Sequence, residues 1–128
     1  MPVLFREDRG CGVLELRGAY TVGEAREALM QGLASFSRER PAGLIIDVSA
    51  SDMVADRASD DIVRAARGMG RLGDKFSNRL GVVAPSALTF GLMRMGGVHA
   101  EEAGLSVCVC HTYEGAVSWL VGTGGAGN

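Results

Sequence analysis

Lysine is almost missing from this chain: Lys75 is the only one, and arginine supplies the rest of the 13 basic residues. Aromatic residues are also few, at 5%. Against 15 acidic residues the formal net charge is −2. The sequence therefore lacks the positive excess that non-specific nucleic-acid or anionic-membrane binding requires. No apolar run reaches the ~20 residues of a membrane span. The opening "MPVLFREDRG" turns charged within a few residues, unlike a secretory signal. Cys11, Cys108 and Cys110 are an odd number and too few for a disulfide scaffold, so a reducing cytoplasm is the expected setting.

What is present describes a compact domain. A chain of 128 residues, 47% hydrophobic and 22% charged, can bury a core without metal or disulfide support. The expected division is a single domain over 1–121 and a flexible, glycine-rich tail over 122–128, where "GTGGAGN" has nothing to bury.

The apolar pattern predicts the elements. "VLF" and "VLELRG", separated by the charged loop "REDRGCG", read as an antiparallel hairpin. Thr21 and Glu24 have capping-box spacing, and Val22, Leu29, Leu33 and Phe36 fall on one helical stripe beside Ala25. "RPAG" is the expected end of this helix, because proline disfavours helical geometry in the residue before it. "GLIIDV" is a continuous apolar strand of the kind buried on both faces of a parallel sheet. Ser59, Asp60 and Asp61 suit a helix start, with Ile62, Ala66 and Met69 on its core face. "RLGVVAP" is a further strand. Pro85 and Ser86 open a third helix that Gly104 stops, "LSVCVC" is the last strand, and Thr112 caps a final helix through Trp119 and Leu120. The order β-β-α-β-α-β-α-β-α predicts an α/β fold with a five-stranded, mostly parallel mixed sheet and four helices.

Candidate motifs are weaker than the architecture. "GMGRLG" matches G-x-G-x-x-G from Gly68 to Gly73 but follows a helix and precedes a strand, the reverse of a dinucleotide site. It is expected to end a helix and connect it onward. Cys108 and Cys110 share one face of their strand; zinc would need more ligands at wider spacing, so no metal and no cofactor are expected. His99 lies near a stripe of Leu88, Leu92 and Met95 and is expected to be hydrogen-bonded at the helix flank. Around the serines there is no paired base, orienting acid or G-x-S-x-G motif, so an enzyme is not expected. Arg64, Arg67 and Arg71, followed by Lys75 and Arg79, read as a solvated face, with Asp60 and Arg64 an i,i+4 pair. The third helix carries apolar residues around much of its circumference, and Phe90 and Met93 are candidates for a homodimer or partner interface.

The N-terminal hairpin, "GLIIDVSAS", "RLGVVAPS" followed by "FGLMRM", and "AGLSVCVCHTYEGAVSWL" together resemble small bacterial STAS-like proteins, relatives of the anti-sigma-factor antagonists, from about Val13 to Leu120. The resemblance implies a module that works through protein contacts, with a protein partner or a second copy of itself. It also implies a serine switch at the start of the helix after the central strand, in a D-S-[ST]-G-like motif. Here "ADRAS" places Arg57 and Ala58 where the serines belong, and Ser59 is the nearest candidate for phosphorylation. Ser49, Ser51, Asp52, Asp56 and Ser59 would share the surface at the strand carboxyl ends. The likeness of the scaffold to SEC14-type domains keeps a small apolar or lipid ligand as the second reading. A receiver-like phosphoacceptor at Asp47 is third: it would need an acidic pair and a lysine at strand ends, and Glu7, Asp8 and Lys75 are not expected there.

Overall fold

A computed structural model describes residues 3–37, 40–51 and 59–122, with the backbone alone at 59–61. Five strands form one sheet in the order β1-β2-β3-β4-β5: β1 (Val3–Asp8), β2 (Cys11–Gly18), β3 (Leu44–Ser51), β4 (Arg79–Val83) and β5 (Ser106–Cys110). β1 pairs antiparallel with β2, and every later pair is parallel. The helices are α1 (Val22–Ala34), α2 (Ser59–Arg71), α3 (Ala87–Glu102) and α4 (Tyr113–Val117), the last continued by a π-helical turn over Ser118–Gly122. This is the predicted α/β order. Crossovers of one hand between neighbouring strands taken in sequence order put their helices on one face. α1, α2 and α3 accordingly share a face, and α4 lies on the other.

Strand alternation divides the core between the two faces. Leu14, Leu16, Leu44, Val48, Leu80 and Val82 point into the larger core with Leu29, Phe76 and Ala100. Cys11, Val13, Ile45 and Val83 point the other way, onto Ala116, Val117 and Leu120. Leu44 and Ile45 are both fully buried, on opposite faces, as a central parallel strand requires.

Local signals account for most element boundaries. Thr21 Oγ1 accepts from the Glu24 amide at 3.0 Å, and the Glu24 carboxylate accepts from the Thr21 amide at 2.8 Å, closing the expected capping box. Ser86 caps α3 through the Thr89 amide, and Thr112 caps α4 through the Gly115 amide. Gly104 follows the C-terminus of α3 with φ of 106°.

Several expectations are corrected. The hairpin loop is not "REDRGCG" but a two-residue turn at Arg9 and Gly10, both with positive φ (52° and 85°), because Asp8 pairs with Cys11 and the strands run to the turn. α1 stops at Ala34, well before Pro41. There Ser35 Oγ donates to the Gln31 carbonyl, and the Glu7 carboxylate accepts from the Ser37 amide, drawing the chain towards β1. Phe36 thus lies beyond the helix, and Val22 is 60% exposed rather than core. Leu88 is also exposed, whereas Phe90, Leu92 and Met93 pack partly against the core and Gly96 and Ala100 are buried.

Gly68 and Gly70 sit inside α2, and Gly73 opens a 3-10 turn (Gly73–Phe76) leading to β4. Ala66 and Met69 face the larger core and Ile62 is buried, as read from the sequence.

Candidate functional site at the carboxyl ends of the strands

β3, β4 and β5 end at one rim of the sheet, and α2, α3 and α4 begin there. Open α/β sheets place ligands and partners at this rim, where helix amino ends and loops converge. Ser49 is exposed near the end of β3; its amide donates to Asp47 Oδ1 at 2.9 Å and its hydroxyl donates to the same oxygen. The local cause is a register shift between β2 and β3: Glu15 pairs with Asp47, but Arg17 pairs with Ala50. The extra residue in β3 turns Ser51 to the helical side, where its hydroxyl donates to the Tyr20 hydroxyl at 3.0 Å. Ser59 is the first residue of α2. Asp52 and Asp56 lie outside the described residues.

At the same rim the Phe90 ring stacks on His111, with centroids 4.2 Å apart and planes 8° from parallel. The Arg94 guanidinium lies 6.0 Å from the Phe90 centroid. Met93 is half-buried against the core. The outward face of α3 instead shows Leu88 (62% exposed) and Val98 (51%). His99 Nδ1 sits 3.2 Å from Glu102 Oε1 in the last turn, poorly aligned for a full hydrogen bond. That histidine is therefore a helix-flank residue distant from the rim.

α4 is short, so the second face of the sheet is only partly covered. Where α4 gives out, the strands carry charge. Glu15, 14% exposed, accepts from Arg6 Nε at 3.0 Å and from Arg17 at 2.6 Å. Burial opposes ionisation of this carboxyl, but the two guanidinium hydrogen bonds outweigh it and hold the group below the usual range. Glu15 lies directly opposite Leu4 and reaches Arg6 on the diagonal of the antiparallel pair. Leu16, Ala50 and Ser49 join Glu15, Arg17 and Asp47 around an open groove of about 410 Å³. A second open groove, about 530 Å³, runs between β1 and α1 along Phe5, Ala28 and Gln31.

The hairpin turn is tied to α4. Arg9 donates to both Glu114 oxygens at 3.0 and 2.9 Å, and the Tyr113 hydroxyl donates to Asp8 Oδ2 at 2.6 Å. Burial, and then the hydrogen bond to Asp8, push the Tyr113 phenol up to about 12. The sequence reading missed both this clamp and the Arg6–Glu15–Arg17 ladder. Period-two alternation assigns Arg6, Glu15 and Arg17 a common face, but only the hairpin register brings them together.

The receiver-like arrangement is not assembled around Asp47. Glu7 and Asp8 lie at the end of β1, beside the turn, and Lys75 lies in the 3-10 turn that precedes β4, at the opposite rim. Among the described residues no group of three or more His, Cys, Asp or Glu side chains is arranged to hold a metal ion. No described helix is long and apolar enough to cross a membrane.

The order of strands and helices is that of a STAS-like, SpoIIAA-like fold. Solved structures with the same fold span nearly the full length of both chains. An uncharacterised DUF3478-family protein from Shewanella loihica, with a SpoIIAA-like fold, matches at TM-score 0.59 and 14% identity over 92% of this chain and 91% of its own. A variant of RsbS from Moorella thermoacetica matches at 0.58 and 18% identity over 97% and 98%. An anti-sigma factor antagonist from Mycobacterium paratuberculosis matches at 0.53 and 19% identity over 92% of each chain. No family model matches the sequence, and comparison with curated proteins finds no match. The similarity is one of fold.

Proposed function

We propose that the chain is a regulatory module that binds a protein partner without catalysing a reaction. The carrying observation is end-to-end sharing of fold with RsbS and an anti-sigma factor antagonist. The contact surface is centred on Ser49 at this rim, with Ser51 bonded inward beneath it to Tyr20; Asp52, Asp56 and Ser59, which follow in sequence, are proposed to contribute to it. Exposure of Ser49 and the bulge that presents it support this assignment. The two grooves described above are open rather than enclosed, which favours a macromolecular contact over a sequestered apolar ligand.

Phosphorylation of Ser59 would add about −1.5 to −2 charges at the start of α2 and alter what that surface accepts. A second copy of the chain is the partner for α3, on which Leu88 and Val98 are exposed while Phe90 and Met93 pack partly against the core.

A photo-crosslinking residue at Ser49, compared with one at exposed Ser35 on the opposite rim, tests the surface in the native cell. A discrete adduct from Ser49 and none from Ser35 is expected; equal labelling from both sinks the assignment. Intact mass of native protein tests the switch, which requires a phosphoform that Ser59→Ala abolishes. Light scattering of a strictly monomeric protein at high concentration would remove the homodimer.

A further inference from the structure

β1 is an edge strand, and among the described residues no backbone group bonds to its outer side. The hairpin turn fixes which groups face outward. Positive φ at Arg9 and Gly10 makes a two-residue turn whose flanking pair, Asp8 and Cys11, exchanges hydrogen bonds. Pairs alternate from there, so Arg6 and Leu4 also bond to β2, while Val3, Phe5 and Glu7 turn their N–H and C=O groups to the open edge. Gly12 fixes the same phase: it lies opposite Glu7, yet its amide donates away from β1, to the Gly43 carbonyl at 3.1 Å.

We propose that the open edge of β1 receives an extended segment of a protein partner as an added antiparallel strand, with an apolar side chain over Phe5 and a basic one at Glu7. This contact goes beyond the rim assigned above and does not depend on it. Three observations carry it. First, the groove of about 530 Å³ beside α1 is walled by the unbroken run of residues 3–7. Side chains alternate along a strand, so an unbroken run means that the backbone edge itself lines the groove.

Second, the edge lacks the proline or bulge that commonly blocks strand addition. Val3–Asp8 contains no proline, and its register with β2 runs without interruption. Leu4 on this strand is 42% exposed. Such an edge is a template for a further strand: main-chain bonds supply affinity, and alternate side chains supply specificity.

Third, the side chains define the occupant. Val3 and Phe5 pack on the α1 side, and alternation sends Glu7 the same way. The Phe5 ring lies close against the helix, since a Cβ on Gly32 would fall 2.2 Å from it. Ala28 and Gly32 keep the facing wall low, which leaves an apolar seat at Phe5. Glu7 is exposed, and its carboxylate accepts from the Ser37 amide and hydroxyl, both neutral donors. Arg6 and Asp8, on the other side of the strand, are already ion-paired. The uncompensated charge at the groove is therefore negative, and complementarity calls for a lysine or arginine two residues from the apolar one.

The test uses the unmodified, isotope-labelled full chain and the capped hexapeptide KTVTKT, whose lysine–valine–lysine face matches Phe5 and Glu7. Amide hydrogen exchange is followed by NMR. Binding tighter than about 1 mM is expected. Exchange at the Val3, Phe5 and Glu7 amides should slow by at least about tenfold, while Leu4 and Arg6, already bonded to β2, stay unchanged. Glu7→Gln should weaken binding about two- to fivefold, the range of an exposed ion pair. N-methylation of the peptide's valine amide should abolish binding without any change to the protein. Absence of binding, protection that does not alternate, retained binding of the N-methylated peptide, or equal binding of the charge-reversed ETVTET would overturn the proposal. So would protection that appears without peptide as the protein is concentrated, because the occupant would then be a second copy.

Discussion

Gly70 of α2 and Ala103 at the end of α3 meet so closely that a Cβ on Gly70 would fall 2.3 Å from Ala103 Cβ. The nucleotide-like string around Gly70 is thereby explained as helix packing. Gly68, two residues earlier, has only a flexible Arg71 nitrogen at 3.6 Å from its would-be Cβ. The two positions should respond with opposite sign. Gly70→Ala is expected to destabilise by about 1–3 kcal/mol, the usual range for overpacking. Gly68→Ala should stabilise by up to about 1 kcal/mol through helix propensity. Urea unfolding of both variants checks the pair; equal effects would refute the packing account.

The clamp between hairpin and α4 predicts a loss on removing one hydroxyl. Tyr113→Phe deletes the 2.6 Å bond to Asp8 and should cost about 1 kcal/mol in denaturant unfolding. A phenol titrating near pH 12 should vanish from the ultraviolet titration of the same variant. The Arg9–Glu114 pair is exposed, and its contribution should be small and fall with added salt.

Glu15 sets an acid-side dependence. Its folded-state carboxyl titrates below the ordinary value of about 4.3. Its stabilisation is therefore complete above about pH 4.3 and is lost as pH falls through the lower folded value. Glu15→Gln should be less stable than the parent at neutral pH, and the gap should close on acidification. A gap independent of pH, measured by urea midpoints across the acid range, would exclude the ion-paired role.

Thr21→Ala opens the capping box of α1 and should lower stability by about 1 kcal/mol. Hydrogen exchange should show the loss concentrated in the first turn of α1. Serine at the same position should restore most of it.

The parts legible in the sequence were those fixed by neighbours along the chain. Thr21 with Glu24, Ser86 and Thr112 ahead of their helices, and the apolar run of β3 act within one turn or one strand. Element order followed from them, as did the common face of Cys108 and Cys110. Boundaries governed by distant partners were misread: α1 ends where Ser37 meets Glu7, and the hairpin turn shrank because Asp8 pairs with Cys11.

The stretch from Leu44 to Asp61 shows the same division. Its hydrophobicity determined a central strand, and its acids and serine a helix start. Tertiary structure alone decided that Ser51 turns inward to Tyr20 while Ser49 stays exposed, because the bulge arises from pairing with β2. It also decided which charges meet. Arg9 and Glu114 are 105 residues apart, and no local pattern carries information about a contact made only when α4 docks across the sheet. Short-range sterics and capping fix the elements. The register of strands and the docking of helices, which depend on the whole chain at once, fix the surface.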